Sequence, residues 1–77
     1  SAPFHLKSQV NGVLLNSKLS GTLSYEIYSM AGVRLLNGSI SGNAGSYYIS
    51  TDALATGRYL LKVNQGSMGY SFHITKN

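Results

Sequence analysis

Along most of the chain apolar side chains recur at every second position, and turn-forming residues interrupt the pattern every eight to twelve positions. This is the signature of short strands assembled into an all-β sandwich or barrel. The first run sets Phe4, Leu6 and Val10 on one face and His5, Lys7 and Gln9 on the other. Asn11-Gly12 then predicts a two-residue hairpin with both central residues at positive φ, leading into Val13, Leu14 and Leu15. After a polar break from Asn16 to Gly21, Leu23, Tyr25 and Ile27 alternate with Thr22, Ser24, Glu26 and Tyr28, the best-formed strand pattern in the chain.

Ser29 to Gly32 predicts a second hairpin, with Gly32 at positive φ. Beyond it Val33 and Leu35 share a face, opposite a mixed one that carries Arg34 and Leu36. Asn37-Gly38, then Gly42, Asn43 and Gly45, predict loops around Ile40, and Tyr47 and Ile49 face away from Tyr48 and Ser50. Residues Thr51 to Thr56 suit one helical turn capped by Thr51 or Asp52 and ended by Gly57. Tyr59, Leu61 and Val63 then point one way and Arg58, Leu60 and Lys62 the other. A turn at Gln65-Gly66 leads to a last run in which Met68, Tyr70, Phe72 and Ile74 alternate with Gly69, Ser71, His73 and Thr75. About seven short antiparallel strands are expected, and an immunoglobulin-like β-sandwich accommodates them best. A five-stranded closed barrel is the structural alternative.

A length of 77 residues allows a single domain, residues 1–77, with a modest core. A chain this short buries only about 60% of the surface it exposes when unfolded, so nearly every apolar stripe is needed inside. The formal charge of +4 and a pI near 9.6 favour polyanions in general. The six cations, Lys7, Lys18, Arg34, Arg58, Lys62 and Lys76, are scattered and form no basic run. The absence of Cys removes disulfides, thiolate metal sites and thiol nucleophiles together. No apolar stretch is long enough to cross a membrane as a helix, so no membrane insertion is expected. Ser1-Ala2-Pro3 does not open a secretory leader, and the chain reads as a soluble piece of a longer one.

The inventory for catalysis is thin. Glu26 and Asp52 are the only acids, His5 and His73 the only histidines, and no Gly-x-Ser-x-Gly turn is present. Asp52 falls where capping is the simpler role, both histidines alternate with core positions and should face solvent, and no ligand spacing suits a metal. Neither enzymatic activity nor a cofactor is expected. The glycine-rich stretch Gly38 to Gly45 lacks the Lys and Ser/Thr that end a phosphate loop. Six tyrosines carry the remaining binding chemistry. The alternation turns Tyr25, Tyr47 and Tyr59 inward and Tyr28 and Tyr48 outward, and leaves Tyr70 open. Tyr28 and Tyr48, with Arg34, could form an aromatic platform for a polysaccharide, as in a carbohydrate-binding module appended to a glycoside hydrolase. Nucleic acid stacked beside Arg34, Arg58 and Lys62 is a lesser alternative.

Three segments recur together in a known family: Tyr25-Glu26-Ile27-Tyr28-Ser29-Met30-Ala31-Gly32, Leu54-Ala55-Thr56-Gly57-Arg58-Tyr59-Leu60-Leu61-Lys62-Val63, and Phe72-His73-Ile74-Thr75-Lys76. Over residues 22–77 the chain resembles the C-terminal sorting domain of the type IX secretion system, carried by exported proteins of Bacteroidetes and Fibrobacter-like bacteria. The resemblance implies an immunoglobulin-like sandwich at the end of a longer secreted protein, often a polysaccharide-degrading enzyme. It implies recognition by outer-membrane secretion machinery and delivery to the cell surface or beyond. Carried over by position, Gly32 matches the turn glycine, Gly57 and Tyr59 the Gly-x-Tyr element, and Lys76 the basic residue of the terminal strand. One departure stands out: the family's Pro-Asn-Pro opening motif is absent, the only proline being Pro3, followed by Phe4.

Overall fold

A computed structural model describes residues 4–41 and 45–77 of the chain. Within them run seven strands: β1 (Phe4–Gln9), β2 (Gly12–Ser17), β3 (Leu23–Ser29), β4 (Arg34–Ile40), β5 (Gly45–Ser50), β6 (Gly57–Gln65) and β7 (Met68–Lys76). They pair antiparallel in two sheets, ordered β1-β2-β5 and β4-β3-β6-β7. Pairing β2 with β5 and β3 with β6 makes the chain cross between layers three times, the Greek-key connection of an immunoglobulin-like sandwich. Two open sheets, each with two edge strands, take the place of the closed barrel.

The alternation explains what lies between the layers. Val13, Leu15, Tyr47 and Ile49 from the three-stranded sheet meet Leu23, Ile27, Tyr59, Leu61, Val63 and Ile74 from the four-stranded one in a single buried cluster. Each large aliphatic side chain fully removed from water contributes about 1.5–3 kcal/mol before entropy is counted. One flank is closed by aromatics. Phe4 of β1 meets Tyr70 of β7 edge to face at 5.4 Å, and Tyr70 stacks with Phe72 at 6.5 Å, which settles the direction of Tyr70 as inward.

Several local expectations are corrected. The first hairpin turns at Val10-Asn11, because Gln9 pairs with Gly12. Val10 is thereby carried off the inward face and is 85% exposed. Among the described residues no non-glycine has positive φ, and Gly12 is extended. Its lack of a side chain serves packing instead, since a Cβ there would sit 2.5 Å from the Tyr48 hydroxyl and 2.6 Å from the Ile49 carbonyl oxygen of β5. Asn37 and Gly38 lie inside β4 and form no loop; Tyr25 covers Gly38, where a Cβ would meet its hydroxyl at 2.7 Å. A β-bulge shifts the register, pairing Ile27 with Leu36 but Tyr28 with Arg34. The extra residue, Leu35, stays exposed with Val33, while Leu36 and Ile40 pack against the core.

Residues Thr51 to Thr56 make one hydrogen-bonded turn and no helix. The Leu54 amide donates to the Thr51 carbonyl at 2.9 Å, and the Thr51 amide is held by the Asn11 carbonyl at 2.8 Å, which keeps Thr51 tied to the sheet. The side-chain acceptor there is Ser50 Oγ, taking the Asp52 amide at 3.3 Å. Gln65 is the buried last residue of β6, and the final hairpin turns at Gly66-Ser67. Gly66 has φ 63° and Ser67 does not have positive φ, as a type II′ turn requires. The readings of Gly42 and Asn43 as loop residues and of Pro3 as the departure from the opening motif fall outside the described residues.

Candidate functional site at one end of the sandwich

Register decides which residues share an end. Ser29 pairs with Tyr59 and Gly57 with Lys76, so the β3–β4 turn, the β5–β6 loop and the end of β7 lie at the same end of the four-stranded sheet. Lys76 Nζ donates to the Thr51 carbonyl at 2.6 Å, joining that end to the strand leaving the other sheet. Gly32, Gly57, Tyr59 and Lys76, spread over 45 positions from first to last, are thus gathered at one end of the molecule.

Each has a local physical reason. Gly32 has φ 90° in a turn closed by the Gly32 amide on the Ser29 carbonyl at 2.9 Å and the Ser29 amide on the Val33 carbonyl at 2.8 Å. Gly57 has φ 154° where the loop enters β6. Tyr59 is buried, and its hydroxyl donates to the Ala55 carbonyl four residues upstream at 2.6 Å. This is the tyrosine corner of immunoglobulin-like folds, an internal strut for the loop rather than a surface contact.

The outer face of the four-stranded sheet carries the polar chemistry. Tyr28 Oη donates to Glu26 Oε1 at 3.0 Å, and Arg34 Nη1 pairs with Glu26 Oε2 at 3.2 Å. Lys62 Nζ stands 5.6 Å from the centre of the Tyr28 ring, within cation–π range. The hydrogen bond to Glu26 holds the Tyr28 phenol above its ordinary 10.0, helped by desolvation and the carboxylate charge and opposed by Arg34. Beside this cluster a shallow cleft of about 350 Å³ runs between the β3–β4 turn and the outward residues of β6 and β7. Tyr28, Met30, Gly32, Leu60, Lys62 and His73 line it.

Tyr28 and Tyr48 are not brought together. Tyr28 lies on the outer face of the four-stranded sheet and Tyr48 on that of the three-stranded sheet, where its hydroxyl donates to the Asn11 carbonyl at 3.1 Å. A platform of both rings with Arg34 therefore does not form; Arg34 sits with Tyr28 alone. Glu26 is engaged by Tyr28 and Arg34, while Asp52 lies in the β5–β6 loop. Among the described residues no three His, Asp or Glu side chains gather where they could hold a metal ion. The cleft itself escaped the sequence reading. Leu60, Lys62 and His73 were legible only as outward positions, and their meeting with Met30 depends on cross-strand register.

The model of the secretion system C-terminal sorting domain family matches residues 6–76, from within β1 to the end of β7. The chain belongs to that family. No curated protein matches it. The match takes in β1 and β2, which the sequence resemblance had left outside residues 22–77. The family consists of type IX sorting domains, secretion-signal modules that mark proteins for the cell surface or exterior and engage the type IX machinery.

Proposed function

We propose that this sorting domain is a non-catalytic address read as a folded surface, and that the end bearing Gly32, Gly57 and Lys76 is the one presented to the secretion machinery. The gathering of these motif positions by β-sheet register carries the reading, since they have no common neighbourhood in the linear sequence. On this view the motif works largely through shape. Gly32 permits the turn, Gly57 with Tyr59 fixes the adjoining loop, and Lys76 fastens the last strand to Thr51. The carbohydrate-binding alternative has no comparable support, because its two rings lie on opposite faces.

Fusing residues 1–77 to a neutral reporter in a type IX-competent bacterium tests this. The reporter should reach the cell surface or medium, and Gly32→Val should reduce its export without unfolding the domain. Retention of the unaltered fusion in the periplasm would overturn the proposal.

A further inference from the structure

The cleft beside the β3–β4 turn has a composition that specifies more than a generic contact. Part of its lining is apolar: Leu60 from β6, the Tyr28 ring from β3, and Met30 from the turn. Met30 is 59% exposed. Lys62 adds a cation to the lining and His73 a hydrogen-bonding ring. Among the described residues the one ion pair is Arg34 with Glu26, the sole acid on this face. Lys62 lies across the strand pair from the same Glu26, with its ammonium over the Tyr28 ring, so Arg34 and Lys62 together outnumber the acid. Arg58 adds another outward cation from β6, and among the described residues β7, which carries His73, pairs only with β6 at the edge of its sheet.

We infer that this cleft binds an extended acidic peptide segment of a partner protein, seating one apolar side chain on Leu60 and Met30 while flanking carboxylates meet Lys62 and His73. Charge complementarity selects an acidic ligand, and the aliphatic Leu60 and Met30 in the lining suit the apolar side chain of a peptide. The inference deepens the sorting reading and rests on it for where the partner comes from. Gly32 then has a second consequence, since the turn it permits builds one wall of the cleft.

The test titrates the isotope-labelled domain by amide NMR with three synthetic capped peptides: Asp-Glu-Leu-Asp-Glu, its neutral counterpart Asn-Gln-Leu-Asn-Gln, and Asp-Glu-Gly-Asp-Glu. The acidic leucine peptide should shift Leu60, Lys62, His73 and the β3–β4 turn, with affinity falling as salt is added. The neutral and glycine peptides should each bind about fivefold or more weakly, and Lys62→Gln with His73→Ala should do the same, whereas Lys7→Gln on the opposite sheet should not. Equal binding of the neutral peptide, shifts elsewhere, or no shifts with the acidic peptide at millimolar concentration would each overturn the inference. So would preferential binding of phosphatidylglycerol vesicles or dextran sulfate at these residues. In cells, normal export of a Lys62→Glu reporter would overturn it while leaving the sorting reading intact. Retention of the unaltered reporter would sink the sorting reading, and the peptide titration would still decide what the cleft binds.

Discussion

The two ends of the sandwich are both tied across the layers by a side chain from the four-stranded sheet, yet they are built to different standards. At the end away from the sorting motif, Gln65 is 1% exposed and bonded on every side. It accepts from Ser17 Oγ at 2.6 Å, and its amide nitrogen donates to the Gly21 carbonyl at 2.8 Å and to the Tyr47 hydroxyl at 3.1 Å. Ser17 Oγ also receives the Leu19 amide at 3.0 Å, so the β2–β3 connection is closed by the same network. At the motif end the corresponding tie is Lys76, only half-buried, reaching a single carbonyl. Around it lie an open cleft and the exposed Met30, Val33 and Leu35. One end is sealed by a buried polar network, and the other leaves apolar side chains in water beside a cleft.

Removing the seal should be the most damaging change. Gln65→Ala strips partners from the buried Ser17 hydroxyl and the Gly21 carbonyl and leaves a cavity, at a cost of about 3 kcal/mol. That is a large share of the roughly 5–15 kcal/mol that holds a small domain together. Chemical denaturation should show the loss as a lower midpoint. A midpoint unchanged from the unaltered domain would mean that the two ends do not differ in the way described.

That network also shows where sequence reading stops. Strand count and the inward positions of β2, β3, β5 and β6 follow from alternation, because one buried face per strand imposes period two. Gln65 and Ser17 continue the inward parity of Tyr59-Leu61-Val63 and of Val13-Leu15, but their polarity disguises them as turn residues. A buried amide is readable only once its partners are known, and Tyr47 and Gly21 lie far from it in sequence. The same holds for Gly12 and Gly38. They look like turn formers but are flat spots beneath Tyr48 and Tyr25. The bulge at Leu35 reverses the expected facing of β4 for a reason no single-strand pattern records. Of the candidate site, Gly32 and Gly57 were legible through backbone conformation, whereas the cleft arises from three strands and a turn meeting.

A smaller effect is expected at the motif end from Tyr59→Phe. The ring still fills its place in the core, and only the bond to the Ala55 carbonyl is lost, worth about 1 kcal/mol. Its signature should be local. Hydrogen exchange should quicken at Leu54 and neighbouring loop amides, while the amides around Gln65 keep their protection relative to global unfolding. If exchange instead quickens equally at both ends, the corner is coupled to the whole core and does not serve its own loop alone.

The smallest effect concerns the Tyr28–Glu26–Arg34 cluster, which lies on the surface and adds little to stability. Because the folded-state pKa of Tyr28 is raised above 10.0, the folded form holds the phenolic proton more tightly than the unfolded form does. Whatever stability the bond contributes is therefore present below that ordinary value and is lost as pH rises through the folded one. Following the Tyr28 ring carbons by NMR should show ionisation later than the ordinary value. Glu26→Ala removes both the acceptor and its charge, and should return the midpoint towards 10.0 while leaving the denaturation midpoint at neutral pH nearly unchanged. A Tyr28 titration indifferent to Glu26→Ala would show that the carboxylate does not hold the ring where the cleft needs it. The contrast between a sealed end and an ordered but open one would then rest on the β3–β4 turn alone.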